Sequence, residues 1–187
     1  MTNEIDNRDV FLRGKDVYLK ALTKEDVISS NWYGWFNDEE LCKTLQQHYF
    51  PNTLEQQLDF FQKNIAGSST KIQLGICRPG HTDILGIISL NNIDYINRKA
   101  EISAVIGEPA GRNINIFRES CILICRHAFN TLNLNKIYGG SISKELAGLM
   151  CKFLKGKEEG VSRSDMYKNG EYHDVFLYGI LKSDFYS

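Results

Sequence analysis

Between Arg118 and Leu132 the chain carries the pattern of a helix that covers a core. Cys121, Ile122, Cys125, Ala128, Phe129 and Leu132 recur at helical spacing, while Arg118, Glu119, Arg126 and Asn130 face the other way. Such a helix needs an apolar surface to lie on, and the flanking segments read as its strands. Upstream, IQLGIC and DILGIISLNNID are apolar runs separated by RPGHTD, whose Pro-Gly marks a hairpin turn; AEISAVIGE follows after YINRK. Downstream, KIYGGSI reads as a strand, KELAGLMCKFLK as a short helix and YHDVFLYGIL as a terminal strand, with YKNGEY before it as a hairpin tip marked by Asn169-Gly170.

The front of the chain adds a strand and two helices. VYLKAL (17–22) alternates, and TKED after it is a helix start, with Thr23 as N-cap and acids in the first turn. That helix is expected to run through the aromatic cluster NWYGWFNDEE. TLEQQLDFFQKNI (53–65) is a second capped helix with Leu54, Leu58, Phe61 and Ile65 on one face. The order is strand, two helices, three-strand antiparallel meander, helix, strand, helix, strand. It predicts an α+β fold with a mixed, mostly antiparallel sheet flanked by helices.

At 187 residues the chain fits a single domain, 1–187, better than two. A formal charge of -1 with interspersed signs leaves no basic field for nucleic acid or an anionic membrane. There is no leader-like start, and no apolar run approaches the roughly 20 residues that a membrane span requires. A soluble, cytoplasmic protein is expected. Five scattered cysteines suit reduced thiols. Cys121 and Cys125 sit one helical turn apart but share the apolar stripe and have no matching pair at ligand spacing, so no metal is expected.

These segments together resemble the GNAT superfamily of N-acetyltransferases, in the branch that includes ribosomal-protein N-terminal and surface-polysaccharide aminosugar acetyltransferases. VYLKALTKED, WFND, ILGIISLNNID, AEISAVIG, AFNTLNLNKIY and KEEGVSRSDMYKNGEYHDVFLYGIL carry the resemblance over nearly the whole chain, the last most specifically. It implies a sheet splayed at a cleft for acetyl-coenzyme A, with the pyrophosphate on the loop opening the central helix. Amide N–H groups and the helix dipole favour an anion there. The family's Gln/Arg-x-x-Gly-x-Gly/Ala motif falls on Arg112, Asn113, Ile114, Asn115, Ile116 and Phe117. Arg112 is kept. Asn115 replaces the central glycine and tolerates positive φ better than most residues. Phe117 replaces the last small residue and must turn into the core to leave room for a phosphate.

The resemblance also implies catalytic roles. Amine acetylation needs a base, and Glu101 holds the family's position for one; as a strand-edge carboxylate it could instead pair with Arg98 or Lys99. The same strand should bulge, so that amides near Val105 and Ile106 hold the pantetheine and polarise the thioester. The late Tyr that protonates the departing thiolate falls on Cys151, a thiol that can donate a proton or simply pack within its helix. Trp35, Asn37, His48 and Tyr49 are expected on the acceptor side, where aromatic faces and hydrogen-bonding groups suit a sugar or a peptide end. For Trp35 ordinary packing is the competing reading.

Three functions are consistent with these residues. The first is acetyl transfer to a small-molecule primary amine, with a nucleotide-linked aminosugar of polysaccharide biosynthesis as the leading acceptor. The second is acetylation of a protein N-terminal amine. The third is a catalytically lapsed binding module, suggested by the changes at Asn115, Phe117, Lys144 and Cys151. Relatives imply a monomer or homodimer.

Overall fold

The computed structural model describes residues 9–187. Strands β1 (Val10–Arg13) and β2 (Tyr18–Ala21) are followed by helices α1 (Lys24–Ser29), α2 (Trp32–Trp35), α3 (Glu39–Cys42) and α4 (Leu54–Asn64). The meander β3 (Ile72–Cys77), β4 (Gly86–Asp94) and β5 (Lys99–Ile106) leads through a 3-10 turn at Pro109–Gly111 into α5 (Ile114–Asn130). Then come β6 (Lys136–Ser141), α6 (Lys144–Leu154), the hairpin β7 (Lys157–Lys168) and β8 (Glu171–Leu181), and α7 (Lys182–Phe185). The eight strands form one sheet in the order β1-β2-β3-β4-β5-β6-β8-β7. Every neighbouring pair is antiparallel except β5 and β6, which are parallel.

The elements form for the local reasons the sequence suggests. Thr23 and Thr53 close capping boxes with Asp26 and Gln56, each satisfying orphan N–H groups at a helix start. Asn169 (φ 52°) and Gly170 (φ 88°) both occupy the left-handed region that a two-residue hairpin needs. The front helix, expected to be continuous, is instead three short pieces. Ser30 turns its hydroxyl back to the Asp26 carbonyl, and Asp38 caps a new helix by accepting from the Leu41 N–H. Short polar side chains thus divert the backbone from one long ladder. Strand β7 was not expected either: it is an edge strand, exposed over most of its length, so it carries no apolar alternation.

Helices α5 and α6 cover one face of the sheet, where Cys121, Ile124, Cys125, Ala128 and Phe129 are fully buried beside Ile88, Leu90 and Ile137. The opposite face holds a second core of Val27, Trp32 and Trp35 with Tyr18, Cys77, Ile84 and Ile87, closed by Leu54, Leu58, Phe61 and Ile65. Burial holds Cys121 protonated, pushing its pKa up to about 12. Glu119, on the outer side of α5, accepts from the Lys15 and Asp16 N–H groups at 2.5 and 2.9 Å and so ties the β1–β2 turn to the helix. No helix among the described residues is long and apolar enough to cross a membrane.

Candidate active site

The parallel strands β5 and β6 pair only over Lys99–Lys136, Ala100–Ile137 and Glu101–Tyr138, and then part. Beyond that point β5 continues to Ile106 and β6 to Ser141 without touching, so one edge of β5 carries alternating N–H and C=O groups with no strand partner. Side chains of β8 require glycine on β6. A Cβ on Gly139 would lie 2.5 Å from the Tyr178 hydroxyl, and one on Gly140 would lie 2.7 Å from Val175. The gap is a cleft of about 300 Å³ walled by Ile102–Ala104 and Gly139–Ser141, with Phe117, Leu146 and Met150 on the helix side. A second hollow of about 590 Å³ lies beyond it, enclosed by the Leu45–Asn52 loop, α4 and the faces of β3, β4 and β5. The two share Leu45, Gln46, Gln47, Ser103 and Ala104, so they meet across β5.

Glu101 stands at the last paired position, on the wall of the cleft. Its carboxylate accepts one hydrogen bond, from Asn92 Nδ2 at 3.2 Å. Neither basic neighbour takes it: Arg98 donates to the carbonyl and side-chain oxygens of Asn133 at 2.7 and 2.8 Å, and Lys99 lies over the Tyr138 ring. The strand-edge ion pair considered from the sequence does not form.

At the other end of the cleft, α5 begins at Ile114 behind Asn113, whose side chain accepts from the Asn115 N–H at 2.8 Å. Asn115 and Phe117 therefore occupy the second and fourth helical positions, and neither has positive φ. The tolerance of Asn for that region is not used; the family's glycines would matter here for space. Phe117 is half-buried against the main core and its side chain lines the cleft. Arg112, Asn113, Ile114 and Asn115 are exposed at the helix start, Ile116 is buried, and Arg112 reaches back to the Gly107 carbonyl at 3.4 Å.

Several expected site residues stand elsewhere. The bulge predicted near Val105 and Ile106 is absent: pairing with β4 is continuous from Gly86–Ile106 to Asn91–Glu101, and the irregularity lies between Asn91 and Asp94. Val105 faces the second hollow, and Ile106 packs into the main core. Trp35 is 2% exposed and lines neither cavity. Its indole packs against Gly107, where a Cβ would lie 2.0 Å away, and its Nε1 donates to Glu108 at 2.9 Å. Packing won at that position because α2 lies under the end of β5.

Asn37 exchanges two 2.7 Å hydrogen bonds with the backbone of Asn52 and lines neither cavity, so it anchors the 45–52 loop, expected on the acceptor side, without facing the hollow. His48 and Tyr49 do line the second hollow. His48 adopts φ 68° with Nδ1 3.3 Å from the Phe36 carbonyl, and the Tyr49 hydroxyl donates to Tyr167 O at 2.8 Å. Cys151 is half-buried in α6 and does not line the cleft, although its neighbour Met150 does; burial pushes its thiol pKa up.

Tyr178 was not among the expected site residues. It lies opposite Gly139 on β8, is 5% exposed and lines the cleft. Its hydroxyl makes no hydrogen bond among the described residues. Burial, reinforced by the neighbouring thiols and Glu101, raises its pKa and keeps it protonated. An aromatic residue in an apolar strand looks like core; the signal was the Gly139-Gly140 pair facing it.

A mixed sheet parted at one parallel junction, a helix N-terminus at the mouth of the gap and a carboxylate at its apex are the architecture of an acetyltransferase-type domain. The chain belongs to the GNAT acetyltransferase family: residues 16–146 match its acetyltransferase (GNAT) domain. Acetyl-coenzyme A is the co-substrate of this class. A Bacillus subtilis protein named "Putative ribosomal N-acetyltransferase YdaF" is 33% identical over 115 residues, 60% of this chain and 61% of its own length. The chain thus spans about three-fifths of that relative. YoaA of the same organism, an uncharacterised N-acetyltransferase, is 25% identical over 88% of this chain and 92% of its own. A spermidine N-acetyltransferase from Vibrio cholerae, solved with CoA and spermine, superposes with a TM-score of 0.82 at 20% identity, covering 93% of this chain and 100% of that one.

Proposed function

We propose that the protein moves the acetyl group of acetyl-coenzyme A to a primary amine on a polar, hydrogen-bonding carrier. The observation that carries this is the open edge of β5 between two hollows, with Glu101 at its apex. Acetyl-coenzyme A supplies the thioester carbonyl that the amine attacks. The α5 N-terminus, with Arg112 beside it, suits the pyrophosphate, and Asn113 must then yield its hold on the Asn115 N–H. The unpaired N–H groups of β5 polarise the carbonyl. Glu101 takes a proton from the acceptor's ammonium, directly or through water, and so frees the amine lone pair that attacks. The Tyr178 hydroxyl returns one to the departing thiolate, the role that sequence reading gave to Cys151.

The leading acceptor is the α-amine of a protein or peptide, which the name of the Bacillus subtilis relative favours. A nucleotide-linked aminosugar is the second reading. None of the relatives described above is named for such a substrate, but rings of Phe36, Tyr49 and Phe60 among glutamine side chains suit a sugar. The test is calorimetry with acetyl-coenzyme A and desulfo-coenzyme A, on the native protein and Phe117→Gly, followed by thiol-release assays with both acceptor classes. Micromolar binding and turnover of one class are expected. No binding to the native protein, particularly if Phe117→Gly gained it, would move the assignment to a lapsed binding module.

A further inference from the structure

The acceptor hollow is lined by aromatic and amide side chains, and among the described residues no carboxylate lines it. Among the described residues, and histidine apart, Lys71 is the one ionisable cation on its wall. It is half-buried, its Nζ lies 4.8 Å from the centre of the Phe60 ring, and no carboxylate oxygen among the described residues comes within ion-pair distance. Burial pushes its pKa down, and the charge of Glu101 pulls it back up.

A second donor sits one helical turn from Phe60. Gln57 is 2% exposed and lines the hollow; its Oε1 accepts from Asn52 Nδ2 at 2.9 Å, which leaves Nε2 as the donor side, and that atom has no partner among the described residues. Residues three apart share one face of a helix, so Gln57 and Phe60 look the same way, and Lys71 stands over Phe60. A buried amide without an acceptor costs stability unless something fills the place.

We infer that Lys71 and Gln57 form an anion subsite in the acceptor hollow, which takes a phosphate or carboxylate carried by the acceptor and disfavours polycationic amines. This deepens the acetyltransferase reading and rests on it. A charged donor and a neutral amide meeting an anionic oxygen in a half-buried site recognise charge by hydrogen bonding as well as attraction. A polyamine entering the same hollow would bring its positive charges against Lys71 with no lining carboxylate to offset them.

The test compares matched acceptors with acetyl-coenzyme A: glucosamine 1-phosphate against glucosamine, the dipeptide amide Ser-Asp against Ser-Asn, and spermidine. Each is assayed with the native enzyme, Lys71→Met and Lys71→Glu. The anionic member of at least one pair should be preferred about tenfold in kcat/KM, through KM. The phosphate and carboxylate pairs separate the two sources of charge. Lys71→Met should erase the preference, and Lys71→Glu should reverse it and admit spermidine.

Equal use of both members by the native enzyme would overturn the inference, as would spermidine outperforming every anion. So would a uniform fall in kcat with a shifted pH profile in Lys71→Met, which would mean that Lys71 acts on Glu101 instead. For a pair that is not turned over, calorimetry on the enzyme–CoA complex makes the comparison with the acetylated products, and equal affinity for N-acetylglucosamine 1-phosphate and N-acetylglucosamine counts against the subsite. Loss of acetyl-coenzyme A binding itself would sink the transferase reading, whereas turnover without anion preference would sink only this one.

Discussion

Glu101 on β5 and Tyr178 on β8 approach the cleft from different strands. Among the described residues Glu101 has one long amide hydrogen bond and no cation within ion-pair distance, so its oxygens are open to an incoming amine. Glu101→Gln should lower kcat about 100-fold at neutral pH with little change in the KM for acetyl-coenzyme A. The deficit should shrink as pH rises, because an amine that has already lost its proton in solution needs no base; a steady-state pH profile checks both statements. The Tyr178 hydroxyl has no hydrogen bond among the described residues, so Tyr178→Phe should leave the melting temperature nearly unchanged. Its kcat should fall about tenfold, a modest effect because a thiolate is a good leaving group. A drop in melting temperature without a kinetic effect would assign the residue to packing alone. Tyr178 was hard to single out in the sequence because an aromatic residue in an apolar strand has the same pattern whether it packs in a core or lines a cleft. Trp35 misled in the opposite direction, since an aromatic beside polar residues suits both a binding wall and a second core.

Among the elements, those built on local rules were the most legible. The capped helix α4, the hairpin tip at Asn169-Gly170, the meander and the stripe of α5 stand where periodicity and turn chemistry put them. Those decided by distant partners were not: β1 and β7 exist because neighbouring strands pair with them, and β7 shows water too much of itself to carry an apolar pattern. The start of α5 lies between these cases. Its position was readable from the motif, but the side of Phe117 and the Asn113 cap depend on folded geometry. Asn113→Ala should lower the stability of the ligand-free protein by about 1 kcal/mol through loss of the cap. Saturating coenzyme A should remove most of that difference, because a bound phosphate takes over the freed N–H groups. Thermal melts of both proteins with and without coenzyme A test this, and an undiminished deficit would argue against a phosphate at this helix.

Over the whole molecule, the acceptor loop is held from far along the chain. The Lys168 ammonium, 5% exposed, donates to the carbonyls of Leu45 and Gln47 at 3.2 and 2.5 Å and lies over the Tyr49 ring, while the Tyr49 hydroxyl reaches the Tyr167 carbonyl. Lys168→Met should loosen this loop, raising the KM for the acceptor severalfold while the KM for acetyl-coenzyme A stays put. Hydrogen exchange over residues 45–50 should accelerate in parallel, and unchanged exchange would show that the loop stands without this anchor. The two anchored stretches are separated by most of the sheet, so no local pattern could have announced the link. The sheet order extends the point. Strand β6 shares only three paired positions with β5 and is bonded along its full length to β8, which is made after it. During synthesis, therefore, the far wall of the cleft and the anchor of the 45–52 loop both wait for the β7–β8 hairpin to leave the ribosome, and a nascent chain can complete its meander and central helix well before the cleft has both of its walls.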